Sequence, residues 1–420
     1  MIPIVTPEEM AAIDAAAPEP LEVLIDRAAR AVAHAAQVML GGTYGRRVVV
    51  VAGPGNNGAD GRRAAQILGR RGIRATVVEP DVDSIHGRPD LLIDAAFGTG
   101  LRRPYAFPVA DPDVPTLAVD IPSGVDGLTG AVLGQPRAAD RTVTFAALKP
   151  GLVLEPGRSL AGAIHVADIG LDVSRSSTDL VEGADVAGWL PVRSPAVHKW
   201  HHAVRVVGGS ASMTGAPRLA ARSAQRMGAG YVQVAIPGRS GVDDPIEAVG
   251  HVVPEVGWGS AAATDVDRLG AMLVGPGLGP GHDAEVTTLV GVDRPLVLDG
   301  DALQPSIVDA VAGRRAATVL TPHGGEFARI GGATAADPVA ATRALAARTG
   351  AVVVHKGPTT VVADPDGPAL VIANGDPSLA TAREAAMCSP VRSPRCSPRV
   401  SIPCALRPLP HGSTPRRGGA

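Results

Sequence analysis

A glycine-rich turn between an apolar run and a helix-like stretch is the strongest constraint on the fold of this chain. The turn covers residues 53–61 and reads GPGNNGADG, directly after the apolar run at 48–51. Gly53, Gly55 and Gly58 have the spacing G-x-G-x-x-G, and Glu79 ends a second apolar run. This pattern brings backbone amides and a helix N-terminus against a phosphate in a parallel α/β fold. The spacing alone is equally typical of a plain NAD-binding turn.

Two further predicted strands end in a carboxylate followed by a glycine-containing loop. The first covers residues 91–94 and ends at Asp94, and the second covers residues 116–119 and is followed by Asp120. A single Asp at a strand end is usually a cap or a loop former. In open α/β sheets, however, ligands bind outside the carboxyl ends of the strands. Three such strand ends in succession therefore predict one shared pocket.

The motifs GPGNNGADG, IDAAFGTG and AVDIPSGVDG together resemble the amino-terminal epimerase domain of the bifunctional NAD(P)H-hydrate repair enzymes. These enzymes correct a nicotinamide cofactor that has taken up water on its ring. The similarity continues through residues 143–151 and 165–173. It implies a Rossmann-like, doubly wound α/β domain, which we place at residues 1–188.

The resemblance also implies roles for individual residues of this domain. Asp120 would transfer the proton, and a potassium ion would be held by Asn57, Asp94 and Ser123. The residues implied to contact the hydrated NADH or NADPH are Asp120 and two segments: Asn56, Asn57, Gly58, Ala59, Asp60; and Gly98, Thr99, Gly100, Leu101, Arg102, Arg103, Pro104. Ala59 departs from the family, which usually has a second glycine there.

The residue types fit this chemistry. Inverting a carbon that bears a hydroxyl beside a nitrogen needs proton transfer by a positioned group. A carboxylate at a strand end can serve if burial raises its pKa towards the working pH. Asn, Asp and Ser all supply the oxygen ligands that a hard cation prefers. Ser123 can also be read simply as a turn residue after Pro122.

The overall composition excludes several classes of protein. The chain has 420 residues and a formal net charge of −2, which favours neither nucleic acid nor a membrane surface as a partner. At about 150 residues per domain, this length predicts two to three domains. The chain shows no basic-then-apolar leader and no apolar run near the roughly 18 residues needed to span a bilayer. We therefore expect a cytoplasmic protein, with a homo-oligomer left open.

The second half restarts with a strand-like run at 204–207 and continues as alternating strands and helices. We place a second domain at 189–382. Its order of motifs resembles the ADP-dependent dehydratase half of the same repair enzymes, which has a ribokinase-like fold and uses Mg²⁺. The resemblance implies that the hydrate contacts Ala216, Gly277 and His323, and that the nucleotide contacts Lys356, Gly357, Pro358, Thr359 and Thr360. Read singly, His323 could be an ordinary loop histidine and Lys356 a solvated strand-end charge.

The resemblance to the dehydratase stops after Ala382. Relatives continue there with Gly-Ser-Gly-Asp, whose glycine amides hold phosphates and whose Asp is the catalytic base. This chain continues instead as an Arg-, Pro- and Ser-rich segment over 383–420. The segment can be read as a disordered tail, or as the product of a frameshift, because the codons permit Gly-Ser-Gly-Asp in another frame. If the chain is made as written, we expect an incomplete dehydratase domain without activity.

Three functions follow for the whole chain. The first is repair of hydrated nicotinamide cofactors, with a working epimerase half. The second is a ribokinase-type kinase for a small molecule, and the third is a scaffold that binds nucleotide without catalysis.

Overall fold

The computed structural model describes residues 1–375, except 191, 193, 241–244, 334 and 335. Two compact units make up this part of the chain. The first contains Met1–Leu190 together with the described part of Pro322–Pro377, and the second contains the described residues of Pro191–Thr321. The predicted tail at 383–420, and the residues just before it, lie outside the described residues. The domain boundaries at 188 and 382 stay predictions.

The amino-terminal segment of the first unit alternates helices and strands. Its strands are β1 (Ile2–Ile4), β2 (Arg47–Ala52), β3 (Arg74–Val78), β4 (Leu91–Ala95), β5 (Tyr105–Ala106), β6 (Thr116–Val119), β7 (Gly134–Gln135), β8 (Arg141–Phe145), β9 (Ala163–Ala167) and β10 (Thr178–Leu180). Its helices are α1 (Pro7–Ala16), α2 (Leu21–Leu40), α3 (Asn56–Arg70), α4 (Pro150–Val153), α5 (Gly157–Ala161) and α6 (Gly183–Trp189).

The main sheet of this unit has six parallel strands in the order β3-β2-β4-β6-β8-β9. The chain runs outwards from β2 to β3, and then returns across β2 to continue through β4. The strand order therefore reverses between β2 and β4, which is the switch point where open α/β sheets bind ligands. The turn at 53–61 and Asp94 lie at this point, so the fold itself explains why they are neighbours.

The two faces of the main sheet are covered differently. One face packs against α2 and α3, whose small alanine side chains allow close approach, and these residues form a continuous core with alternate residues of β2, β4 and β6. The opposite face is covered by segments that are not helical. There Val51 and Leu92 of the sheet form one apolar cluster with residues of these segments, namely Ile85, Tyr105 and Val114. The short strands β5 and β7 form a separate parallel pair.

Local signals explain the two helices that matter most for the site. Helix α1 begins with a capping box, in which the Thr6 hydroxyl accepts a bond from the Glu9 amide and the Glu9 carboxylate accepts one from the Thr6 amide. Helix α2 ends at Gly41, which has a left-handed conformation. Its buried residues recur at the spacing of one helix face and include Leu24, Ala28 and Val32.

The first unit also contains helices α11 (Gly324–Arg329) and α12 (Pro338–Thr349) and strands β17 (Val352–His355), β18 (Thr360–Ala363) and β19 (Ala369–Ile372). Strand β19 pairs with β10 in parallel and with β18 in antiparallel fashion, and β1 pairs with β10 in antiparallel fashion.

The second unit has the strands β11 (Ala203–Val207), β12 (Tyr231–Ala235), β13 (Val249–Gly250), β14 (Ala271–Val274), β15 (Leu296–Leu298) and β16 (Thr318–Leu320). Its helices are α7 (Gly215–Arg226), α8 (Trp258–Ala262), α9 (Asp283–Val290) and α10 (Pro305–Val311). The strands are parallel, in the order β16-β15-β14-β11-β12-β13. The predicted α/β class with parallel sheets is thus confirmed. Among the described residues, no helix combines the length and the apolarity needed to cross a membrane.

Candidate active site

A cavity of about 680 Å³ opens at the carboxyl ends of β2, β4 and β6 in the first unit. It is lined by residues from both amino-terminal helices, from the glycine-rich turn, and from the loops after β4, β6 and β8. Its polar lining includes Asp14, Asn56, Asn57, Asp60, Thr99, Arg102, Arg103, Asp120 and Lys149. The three strand ends singled out in the sequence therefore do meet at one place.

The glycine-rich turn is shaped by close backbone contacts. A Cβ atom on Gly53 would lie 1.8 Å from the carbonyl oxygen of Ala96, and one on Gly58 would lie 1.7 Å from that of Gly53. Both positions therefore require glycine, and the turn places the start of α3 at the cavity. Gly58 and Ala59 shape this turn without lining the cavity, whereas Asn56, Asn57 and Asp60 line it.

The acidic residue of the dinucleotide-binding pattern has a different role here. Glu79 forms an ion pair with Arg62, with 3.2 Å between Oε1 and Nη2, and its side chain is 63% exposed. The same guanidinium donates to the carbonyl oxygens of Ala52 and Gly53. Glu79 does not line the cavity, so the turn does not support the plain NAD-binding interpretation at that residue.

Asp120 stands at the end of β6 in an unusual backbone conformation. Its φ angle is +66°, in the left-handed region that few residues other than glycine adopt. Its carboxylate oxygen Oδ1 forms an ion pair with the ammonium group of Lys149 at 2.7 Å and accepts a hydrogen bond from the hydroxyl of Thr144 at 3.1 Å. Lys149 is 1% exposed, so a buried cation compensates the charge of the candidate catalytic acid.

Two more carboxyl groups face the same cavity. Asp60, on the first turns of α3, is 7% exposed. Burial raises its pKa to about 8, and the negative charges of Asp120 and Asp14 act in the same direction. Burial also raises the pKa of Asp14, on α1, against the opposing charge of Lys149. At neutral pH the cavity therefore contains a protonated carboxyl beside an ion-paired carboxylate.

Asp94 and Ser123 form a buried polar pair beside the cavity. The Ser123 hydroxyl donates to Asp94 Oδ1 at 2.6 Å, and the Ser123 amide donates to Oδ2 at 2.8 Å. The serine oxygen also accepts from the Phe97 amide at 2.8 Å and lies 3.0 Å from the Phe97 carbonyl oxygen. Burial raises the pKa of Asp94 to about 6, although the bonds from Ser123 and the Ala96 amide oppose this change. Ser123 is thus more than a turn residue.

The side chain of Asn57 is a buried amide at the cavity wall. Its Oδ1 and Nδ2 atoms are both buried, and neither has a hydrogen-bond partner among the described residues. A buried amide without partners is unfavourable by about 1–3 kcal/mol. Its position beside Gly98, 3.6 Å from where a Cβ atom would stand, places it at the cavity wall. The Asn57 amide oxygen is therefore a candidate to contact a bound ligand or ion.

The loop after β4 forms the rim of the cavity. Residues 98–103 all line it, while Pro104 does not. The guanidinium of Arg102 lies 3.7 Å from Asp126 and its side chain is 61% exposed. The guanidinium of Arg103 stacks over the Phe97 ring at 5.4 Å from its centre. The rim thus presents two cations to the opening of a pocket whose interior is acidic.

Sequence reasoning missed two charged residues of this site, Lys149 and Asp14. Lys149 lies within the segment 143–151 that carried the resemblance, and Asp14 lies on the first helix. A signal did exist for Lys149, because a lysine directly after a buried strand and before Pro-Gly is well placed at a sheet edge. For Asp14 the sequence gives no comparable signal, because it shows only that the residue lies on a helix.

The residues predicted for the second activity lie in both units. In the second unit, Gly277 follows β14 with a φ of +70°, and a Cβ atom there would lie 3.2 Å from the Cβ of Ala216 at the start of α7. The predicted contacts of these two residues with the hydrate stay predictions.

In the first unit, His323 caps helix α11, its Nδ1 accepting from the amides of Gly325 and Glu326. The Glu326 carboxylate lies 3.2 Å from His323 Nε2 and 3.7 Å from Lys356 Nζ. The side chain of Lys356 is 13% exposed, which does not fit a solvated charge. Gly357 and Pro358 are exposed, and Thr359 and Thr360 are half-buried. The predicted nucleotide contacts of residues 356–360 stay predictions.

Comparison with known proteins extends over both halves of the chain. A family model described as YjeF-related protein N-terminus matches residues 21–86 and 78–151, and one described as NAD(P)H-hydrate dehydratase matches residues 204–383. Among solved structures, the ADP/ATP-dependent NAD(P)H-hydrate dehydratase from Bacillus subtilis, co-crystallised with ATP and Mg²⁺, is 27% identical. It covers 49% of this chain and 77% of its own, with a TM-score of 0.42.

Two relatives match most of the chain. The bifunctional NAD(P)H-hydrate repair enzyme Nnr of Mycobacterium tuberculosis (strain ATCC 25618 / H37Rv) is 38% identical over 374 residues, which is 81% of this chain and 76% of the relative. The enzyme of the same name from Salinibacter ruber is 35% identical over 450 residues, which is 86% of this chain and 81% of the relative. With both halves matched in this order, the chain belongs to the family of bifunctional NAD(P)H-hydrate repair enzymes.

Proposed function

We propose that the first unit interconverts the R and S forms of hydrated NADH and NADPH. The observation that carries this proposal is Asp120, whose carboxylate is held at a strand end against the glycine-lined loop 98–100 and faces a cavity of suitable size. The family match over residues 21–151 supports the same assignment. Asn56, Asn57, Asp60 and the rim loop would bind the substrate.

The chemistry needs one acid and one base. In the hydrate, the reacting carbon carries a hydroxyl and the ring nitrogen. The hydroxyl accepts a proton and leaves as water, while the nitrogen lone pair forms a C=N bond. Water then adds to the opposite face of the C=N bond and gives up a proton. The reaction therefore consumes no proton overall. Asp60, neutral below pH 8 or so, is the candidate donor, and Asp120 is the candidate acceptor.

Buried oxygen atoms beside the cavity support the proposed potassium site. The Ser123 hydroxyl oxygen lies 2.6 Å from Asp94 Oδ1 and 3.0 Å from the carbonyl oxygen of Phe97, so three oxygen atoms cluster there. Asn57 adds a buried amide oxygen without a partner among the described residues. Such a set of oxygens suits a hard cation. A potassium ion held there would supply positive charge next to an otherwise acidic pocket.

Replacement of Asp120 by Asn tests the epimerase proposal. The assay follows purified (R)-NADH-hydrate and separates the R and S forms by chromatography, with spontaneous conversion subtracted. We expect Asp120→Asn to lower kcat by about 10²–10⁴-fold, the usual contribution of a positioned acid or base. Asp113→Asn is the matched control, because the Asp113 side chain is 79% exposed and does not line the cavity. Equal rates for Asp120→Asn and the wild type would exclude the proposal.

The same variant separates catalysis from a scaffold role. If Asp120→Asn abolishes epimerisation but leaves the biological effect of the protein intact, the domain acts through binding. A ribokinase-type kinase is disfavoured, because its catalytic Asp would belong to the same Gly-Ser-Gly-Asp motif that this sequence lacks.

For the second half we propose ADP-dependent dehydration of the S form as the ancestral activity. The match over residues 204–383 supports it, and Ala216, Gly277, His323 and residues 356–360 are its candidate contacts. The sequence nevertheless contains no Gly-Ser-Gly-Asp, the motif implied to hold the phosphates and to supply the base. No described residue is assigned to Mg²⁺, and we route no step through it.

A further inference from the structure

Lys149 is a buried cation whose ammonium group contacts three oxygen atoms. It follows β8 and caps helix α4, and it is 1% exposed. Its Nζ atom lies 2.7 Å from Asp120 Oδ1, 2.9 Å from Thr144 Oγ1 and 2.9 Å from the carbonyl oxygen of Phe145. Two of these contacts are hydrogen bonds and the third is an ion pair, and together they hold the ammonium group on three sides. The side chain is thereby fixed in one position at the cavity wall.

Stability alone does not account for such a pair. Burying two opposite charges has a desolvation penalty of several kcal/mol per ion, and apolar residues of similar volume are often equally stabilising or better. The pair also lies at the cavity rather than in the apolar core. Its location therefore points to a role in the chemistry of Asp120.

The two carboxylate oxygens of Asp120 have different contacts. Oδ1 pairs with the ammonium group of Lys149 and accepts a hydrogen bond from the Thr144 hydroxyl. Over the described residues, Oδ2 receives no hydrogen bond, and it lies 3.4 Å from where a Cβ atom on Gly98 would stand. Because Gly98 has no side chain, this oxygen has open space on the cavity side. The other acids that face this region are Asp14 from α1 and Asp60 from α3.

We propose that Lys149 and Thr144 are positioning residues that hold Oδ1 of Asp120, which leaves Oδ2 as the atom that exchanges the proton with the substrate. The inference rests on the proposed epimerase function. When water adds to the C=N carbon, its oxygen forms the C–O bond and one of its O–H bonds breaks. That proton moves to Oδ2. In the reverse direction the proton returns from Oδ2 to the hydroxyl, which leaves as water, and Lys149 only holds Oδ1 in place.

The threonine gives a matched pair of variants. Thr144 and Thr142 both lie on β8, and both hydroxyls are buried. Thr144 donates to Asp120, whereas Thr142 donates to the carbonyl oxygen of Ala161 at 2.6 Å. Thr144→Val removes the bond that the hydroxyl donates to Asp120 and the bond that it accepts from Lys149, whereas Thr142→Val removes the bond donated to Ala161. We expect Thr144→Val to lower kcat of epimerisation about 5-fold or more, the equivalent of one hydrogen bond, with KM unchanged. Thr142→Val should leave both constants at the wild-type value.

Chemical rescue of a Lys149 variant distinguishes a positioning role from a purely structural one. Lys149→Ala leaves a gap of the shape of an alkylammonium ion, and we expect kcat to fall by about 10–10²-fold, the equivalent of one bond between charged groups. Added propylammonium should restore at least a tenth of the lost rate in a saturable manner. Propanol, which has a similar shape but no charge, should restore none. Circular dichroism and thermal unfolding of each variant check that it folds.

The outcomes separate the two proposals. Absence of epimerisation by the wild type would overturn the proposed function, and this inference with it. Wild-type activity with an unchanged kcat in Thr144→Val overturns the inference alone. So does an equal loss in Thr142→Val, or rescue of Lys149→Ala by propanol as well as by propylammonium. If Lys149→Ala does not fold, the comparison of the two threonine variants decides.

Discussion

The hydroxyl of Ser123 donates to the carboxylate of Asp94 across 2.6 Å, inside a region where Asp94 is fully buried. This contact joins the loop after β6 to the end of β4, so the two strand ends are fixed relative to each other. The same two residues and Asn57 form the proposed potassium site. Its occupancy can therefore be examined through stability, without measuring activity.

We expect potassium to stabilise the wild-type protein more than sodium does, because a ligand that binds only the folded state raises the free energy of unfolding. The measurement is Tm as a function of KCl, with NaCl and choline chloride at equal ionic strength as controls. Asn57→Ala should remove the potassium-specific part of the rise. A rise of equal size in choline chloride, or a full rise in Asn57→Ala, would contradict the proposed site.

Asp60→Asn should stabilise the protein increasingly as the pH rises. The carboxyl of Asp60 has its pKa raised from 3.8 to about 8 in the folded state. The folded protein therefore holds a proton that the unfolded chain releases, and the free energy of unfolding falls as the pH rises through this window. Asn stays neutral and removes this loss. The difference between variant and wild type should grow by a few kcal/mol in order of magnitude between pH 4 and pH 8, and then level off.

Denaturant unfolding at pH 5, 6, 7 and 8 measures this difference. The groups that face Asp60 are Asp14, Asp120 and Lys149, which stay unchanged in the variant. A difference that is constant over this range would show that Asp60 titrates as an ordinary exposed carboxyl.

Gly58→Ala should destabilise the first unit strongly. The added Cβ would lie 1.7 Å from the carbonyl oxygen of Gly53, a backbone atom that cannot move without opening the turn. We expect a loss of at least 1–3 kcal/mol, the usual effect of overpacking. Gly69→Ala, on the same helix, is the matched control. Its Cβ would meet nothing within 4 Å, so the better helix propensity of Ala should stabilise the protein by up to about 1 kcal/mol. Thermal unfolding of both variants tests the contrast.

The chain as written should not dehydrate (S)-NADH-hydrate with ADP and Mg²⁺. The sequence after Ala382 lacks the Gly-Ser-Gly-Asp that relatives are implied to use for phosphate binding and for the catalytic base. The measurement is absorbance of NADH at its long-wavelength maximum, with the S form as substrate. A gene corrected to the alternative reading frame after codon 382 serves as the comparison and should gain activity. ADP-dependent turnover by the uncorrected chain would contradict the expected loss of dehydratase activity.

Much of the fold and part of the site could be predicted from the sequence, because their signals are local. At both Asp94 and Asp120, a buried strand is followed by Asp and a glycine-containing loop, which predicts a pocket at the strand end. The switch point of the sheet brings the two strand ends together. Asp14 could not be predicted, since it reaches the cavity from the first helix, and Lys149 was missed because its signal, a lysine before Pro-Gly, lies in a later loop. The raised pKa of Asp60 likewise depends on burial beneath other segments, which no local pattern contains.

The left-handed backbone of Asp120 has an implication for what this position tolerates. A residue with a side chain is disfavoured at a φ of +66°, whereas glycine adopts it freely. The carboxylate, however, pairs with the buried ammonium group of Lys149, and removing one partner of a buried ion pair is unfavourable by about 3–5 kcal/mol. The electrostatic loss therefore exceeds the backbone gain, and a glycine that suits the turn would not suit the charge beside it. Asp120→Gly should accordingly unfold at a lower temperature than its parent and no longer interconvert the two hydrates.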